Sequence, residues 1–110
     1  MPQITVDYSA PLDRRGFALA LHPLVAEAVG APLSGCTTRF REVEETVVGD
    51  GTADRAVVHV DIAVRFGQTD DAKRRLSKVV LALLPRHLKT AERARLSGAF
   101  RACENSSLAG

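Results

Sequence analysis

The order of hydrophobic patterns along the chain predicts an α+β fold, with two β-α-β halves whose strands share one mixed sheet and whose two helices pack on one face. Three observations predict it. Two segments carry apolar residues at spacings of three and four, the repeat of a helix with one buried stripe. Strand-like stretches stand before, between and after those segments. The alternation is cleanest from Arg55 to Phe66, where Val58, Val60, Ile62, Val64 and Phe66 fall on one side and His59, Asp61, Ala63 and Arg65 on the other. A sheet covered by helices on one face leaves the other bare. The polar side of these strands is too mixed to be fully solvated, so that face is expected to be buried by other subunits.

The first strand is Met1 to Tyr8, an alternating stretch that Ser9-Ala10-Pro11 interrupts. A helical segment follows from about Leu12 to Val29, with Phe17, Leu21, Leu24, Val25 and Ala28 on its apolar stripe. Pro23 inside it removes one backbone hydrogen bond, which predicts a kink there or a helix beginning afresh near His22. Gly30 and Pro32 stop it. From Gly35 to Val48 the residues are rich in Thr, Val and Phe, and Gly49-Asp50-Gly51-Thr52 is a turn, so a hairpin is expected to join the two halves. On this second strand Thr37, Arg39, Arg41 and Val43 share a face, and Thr38, Phe40, Glu42 and Glu44 share the other.

After the third strand, Gly67-Gln68 turns the chain and Thr69 is a good N-cap, with Asp70 and Asp71 suited to the positive end of a helix. Ala72, Leu76, Val79, Val80, Leu83 and His87 trace that helix's apolar stripe, and Pro85 kinks or ends it. Lys73, Arg74 and Lys78 form a solvated basic face. Ala94 to Cys103 reads as a last strand, and Glu104 to Gly110 as a frayed end.

At 110 residues the chain fits one domain, 1–110. With 45% hydrophobic and 25% charged residues it has the balance of an ordinary soluble protein. No apolar run approaches the roughly 18 residues of a membrane span, and no export signal precedes the first strand, so a cytoplasmic location is expected. A net charge of +2 gives no support to a nucleic-acid partner. Cys36 and Cys103 have no paired spacing suggesting zinc or redox chemistry, and both read as small buried residues.

Pro2 follows the initiator methionine. If Met1 is removed, Pro2 becomes the terminus, and its secondary amine can take and give protons as a general base. The alternative is structural, because proline is tolerated at the start of an edge strand. Arg39 and Arg41 are candidates for holding an anion, since each guanidinium can grip a carboxylate through two hydrogen bonds. Their alternative is an exposed charge pairing with Glu42, Glu44 or Glu45 across the hairpin. His59 on the third strand reads as a hydrogen-bonded structural residue.

Several strings coincide in order with a known family: Met1-Pro2 before a strand, His22-Pro23-Leu24 in the first helix, Pro32-Leu33-Ser34-Gly35 before the second strand, and Val57-Val58-His59-Val60 followed by Gly67. On these the chain resembles the 5-carboxymethyl-2-hydroxymuconate isomerases of the tautomerase superfamily, from Pro2 to about Cys103. The resemblance implies a homotrimer with sites near subunit interfaces. It implies the N-terminal proline as base, an unsaturated di- or tricarboxylic acid as substrate, and a proton moved through a dienol without metal or organic cofactor. The family's two arginines on the second strand align with Thr37 and Arg39, so the first is missing. Arg41, on the same face, lies one strand repeat further on, roughly 7 Å away. A third family arginine aligns with Gln68. These departures leave open a non-catalytic trimeric module of the same fold.

Overall fold

Strand β1 (Gln3–Tyr8) leads through helix α1 (Arg14–Val29) and a short 3-10 turn (Leu33–Gly35) to β2 (Thr37–Glu42). Strand β3 (Ala56–Val64), helix α2 (Asp70–His87) and strand β4 (Ala94–Ala102) repeat the pattern. The computed structural model describes residues 2–51, 56–64, 69–89 and, as backbone, 94–102. The strand order is β2-β1-β3-β4. β1 runs parallel to β2 and β3 parallel to β4, and the two halves meet where β1 and β3 pair antiparallel. Parallel neighbours need a crossover connection, and each helix provides one. This is the mixed sheet of two β-α-β halves that the patterning predicts.

Both helices lie on one face because only that face of the strands is apolar. Ile4 and Val6 of β1 and Val58, Val60, Ile62 and Val64 of β3 are each at most 1% exposed. They form one core with Phe17, Leu21 and Val25 of α1 and Leu76, Val80, Leu83 and Leu84 of α2. Burying each such side chain contributes roughly 1.5–3 kcal/mol against the chain entropy lost on folding. The intervening residues Gln3, Thr5, Asp7, His59, Asp61 and Ala63 are half-buried on the open face.

Capping fixes where the helices begin and end. The Asp13 carboxylate accepts from the Gly16 amide at 3.2 Å, and the Thr69 hydroxyl accepts from the Ala72 amide at 3.1 Å. Gly30 closes α1 at φ 67°, where a side chain would be strained. The start of α1 is tied to the end of α2: Asp13 N–H donates to the His87 carbonyl at 2.8 Å, and Lys89 N–H to the Pro11 carbonyl at 3.0 Å. Among the described residues no helix is long and apolar enough to cross a membrane.

Three expectations need correction. The predicted hairpin does not form: β2 and β3 lie on opposite sides of β1 and do not pair. A turn does occur at Gly49–Gly51, with Gly49 and Gly51 at positive φ, but it joins no two neighbouring strands of the sheet. The local turn signal is therefore correct, and what overrides its usual consequence is the parallel pairing that the α1 crossover permits. Pro23 does not restart α1, which runs unbroken from Arg14 to Val29. Pro85 likewise lies within α2, in its last turn. Leu24 and Ala28, placed on the apolar stripe of α1, are exposed. Met1, Arg65 to Gln68, Cys103 and Glu104 to Gly110 lie outside the described residues.

Phe17 is fully buried and meets the His87 ring edge-on, with centroids 5.9 Å apart. Truncating it leaves a cavity between both helices and the sheet. Phe17→Ala is expected to lower unfolding free energy by about 3–5 kcal/mol, measured by urea denaturation at one fixed protein concentration.

Candidate active site

Pro2 is buried at the head of the central strand, one residue before β1 begins. Its carbonyl accepts from the Thr37 amide at 3.3 Å, so the β1–β2 ladder reaches the start of the chain. The segment after α1 makes this approach specific. Pro32 holds an extended conformation, the 3-10 turn Leu33–Gly35 reverses the chain, and buried Gly35 and Cys36 deliver β2 alongside Pro2. The Cys36 thiol lies 3.7 Å from the His22 carbonyl, and the His22 Nε2 atom lies 2.7 Å from the Thr38 hydroxyl. The second half of α1 is thus fastened to the first turn of β2 beside the chain start. Burial pushes the Cys36 thiol up from its ordinary value, and the positive charge at the N-terminus offsets this in part.

The two arginines occupy the next strand. Register places Arg39 opposite Thr5 and Arg41 opposite Asp7, with both arginines exposed. Arg41 makes a two-pronged contact with Asp7, Nε to Oδ1 at 2.7 Å and Nη2 to Oδ2 at 3.1 Å. The Asp7 carboxylate holds this guanidinium still more firmly protonated. Its partner therefore sits across the parallel β1–β2 pair, and the expected hairpin glutamates are not the ones engaged. The Asp7 contact follows from strand order, which residue spacing does not encode. The His22–Thr38 contact is also absent from any periodicity, because its two residues come from different elements.

The structure brings Arg39 and Arg41 to one face and separates both from Pro2. The register that sets Gln3 opposite Thr37, continued by one step, brings Cys36 level with Pro2, so Arg39 stands three positions along and Arg41 five, roughly 10 and 17 Å. The alternation also puts Pro2 on the helix side with Ile4 and Val6, and the arginines on the open side with Thr5 and Asp7. His59 lies half-buried in the row of Asp7. Gln68 is outside the described residues. Among the described residues no group of three or more His, Cys, Asp or Glu is placed to hold a metal ion.

A family model for 5-carboxymethyl-2-hydroxymuconate isomerase matches residues 2–102, beginning at Pro2 itself. The chain belongs to this family. Its fold also matches that of a 5-carboxymethyl-2-hydroxymuconate isomerase from Deinococcus radiodurans, with a TM-score of 0.78, 21% identity, and coverage of 96% of this chain and 84% of that one. A second similar structure is a 5-carboxymethyl-2-hydroxymuconate delta-isomerase, TM-score 0.75 and 14% identity, covering 93% of this chain and 82% of that one. A third is a fused 4-OT protein described as a symmetric trimer, TM-score 0.65 and 20% identity, covering 91% and 85%. No protein of curated function matches the chain in sequence. Family membership and fold together make the chain an isomerase-type member of the tautomerase superfamily.

The raised Cys36 thiol links stability to pH with a definite sign. The folded state favours the protonated thiol, so its contribution is fully present below the unfolded value and is lost as pH rises through the folded one. Unfolding free energy should fall as pH rises above about 8.5, and Cys36→Ala should flatten that fall relative to the parent chain in parallel urea titrations. Identical slopes would remove Cys36 as the cause.

Proposed function

We propose that this chain is a cofactor-independent isomerase that moves a proton through a dienol or dienolate of an unsaturated di- or tricarboxylic acid. The observation that carries the proposal is a proline buried at the head of the central strand, at the position where the family match begins. With Met1 removed, Pro2 presents a secondary amine. A terminal amine ordinarily titrates near about 8, and burial disfavours its protonated form, as would cationic groups brought to it by a neighbouring subunit. The neutral amine takes a proton from the carbon next to the substrate's carbonyl or from the dienol hydroxyl. The resulting ammonium returns a proton to a different carbon, so the double bond shifts with no net change in composition.

The developing negative charge needs fixed cationic donors, and the substrate's carboxylates need anchors. Arg39 and Arg41 fill these roles in the proposal. Within one chain they stand on the opposite face from Pro2, so in the proposal the site is completed by a neighbouring subunit of a homotrimer, whose arginines reach the head of β1. A substrate carboxylate at Arg41 would share or displace Asp7. The chain would act as one domain, in the cytoplasm, without nucleic-acid or membrane partners.

The Asp7–Arg41 pair favours a second reading, a non-catalytic module of the same fold. There, an arginine already satisfied within its own subunit serves assembly, and Thr37 stands where the family carries a further arginine.

Ketonisation of 2-hydroxymuconate-type dienols by mass-verified protein lacking Met1 separates the two. The proposal expects turnover that Pro2→Ala lowers at least about 100-fold, the usual scale of a general base. Arg39→Ala should raise KM for dicarboxylates with a smaller change in kcat. Equal rates for the parent chain and Pro2→Ala would favour the module, and sedimentation as a monomer would contradict the interfacial site.

A further inference from the structure

The helix-covered side of the edge strand β2 carries a feature that the proposed chemistry does not use. A groove of about 580 Å³ runs between α1 and β2, and Pro2 is not among the residues lining it. Its volume falls within the roughly 300–1,000 Å³ typical of small-molecule sites. One wall is a stripe of α1, where Arg15, Leu19 and His22 recur at helical spacing. Phe40 of β2 lines it from the strand side, and Leu12 and Lys89 also border it. Leu19 is 58% exposed there, a large apolar side chain with no cover.

The charges in this groove are unbalanced. Among the described residues lining it Asp13 is the one carboxylate, and that group is folded onto its own helix, accepting from the Gly16 amide at 3.2 Å. A Cβ at Gly16 would collide with the Asp13 carboxylate, so the glycine lets it lie there. Arg14 is turned to Tyr8, donating to the phenol oxygen at 3.0 Å with its guanidinium 5.7 Å from the ring centroid. Arg15 and Lys89 remain, both exposed and without a carboxylate partner among the described residues. The backbone carrying Lys89 is fixed by its bond to the Pro11 carbonyl and by the Leu12–Leu88 bridge, so this charge has a firm base.

We propose that the groove between α1 and β2 binds an amphipathic monocarboxylate, with its carboxylate held by Arg15 and Lys89 and its alkyl or aryl body lying over Leu12, Leu19 and Phe40. A neutral apolar molecule would leave both cations unused, and a polyanion would leave the apolar wall uncovered. The site is separate from Pro2 and does not depend on the proposed isomerase reaction.

Octanoate titrated into the full-length chain, followed by amide chemical shifts, tests this directly, with octanol as the uncharged control. Saturable one-site binding is expected, with shifts at Leu19, Phe40 and Lys89. The double variant Arg15→Ala, Lys89→Ala should bind octanoate at least roughly tenfold more weakly, the scale of a lost charge-assisted hydrogen bond, and octanol as before. Leu19→Glu should abolish octanoate binding with an unchanged urea midpoint, and Pro2→Ala should bind like the parent. Non-saturable binding, shifts centred elsewhere, equal affinity in the double variant, or octanol binding as tightly as octanoate would overturn the assignment.

Discussion

The antiparallel pairing of β1 with β3 is the constraint on which the other features rest. It sets Ile4 opposite Ile62 and Val6 opposite Val60, all at most 1% exposed, in the middle of the sheet. With one edge of β1 occupied by β3, only the other is available to β2, and α1 provides the crossover that brings β2 there in parallel. A slip of one residue would turn every buried side chain of β1 to the open face and present Thr5 and Asp7 to the helices, at a cost the core cannot sustain. The same register sets Pro2 at the head of the central strand and lines up Arg41 with Asp7.

Much of this was legible in the sequence because it depends on local chemistry. Helical spacing located α1 and α2, and Thr69 with its following aspartates located the start of α2. Alternation located β3 and the arginine-bearing face of β2. Strand order was not legible. The glycine-rich turn at Gly49–Gly51 has the chemistry of a hairpin, and nothing nearby shows that β1 has already taken the edge of β3 where β2 would pair. The hairpin reading carries over to the site: as the alternative to anion binding it offers Arg41 the nearby glutamates, although its partner is 34 positions away in sequence at Asp7. Pro23 illustrates a milder override, since tertiary packing of Phe17, Leu21 and Val25 keeps α1 continuous through a residue that lacks an amide proton.

The two faces of the sheet divide the chemistry. On the helix side lie the apolar core, buried Pro2 and the groove above β2. On the open side lie half-buried polar residues and the two arginines. A single subunit therefore holds the proposed base and the proposed anion-binding arginines on opposite faces, and the separation is geometric, not a matter of side-chain rotation. In the proposed trimer a neighbouring subunit would supply the missing groups at the head of β1, and packing of the open faces would cover polar groups that are half-withdrawn from water. The Asp7–Arg41 pair keeps the guanidinium oriented on the sheet, and in the proposed enzyme Asp7 would be the competitor that a substrate carboxylate has to displace.

The central claim is that the Pro2 amine is neutral and acts as the base. The most direct measurement is the pH dependence of kcat/KM for dienol ketonisation by protein verified to lack Met1. The account predicts activity that rises with pH through a single limb below about 8, where a depressed secondary amine loses its proton. A profile with no inflection between about 5 and 8, or one retained unchanged in Pro2→Ala, would contradict it.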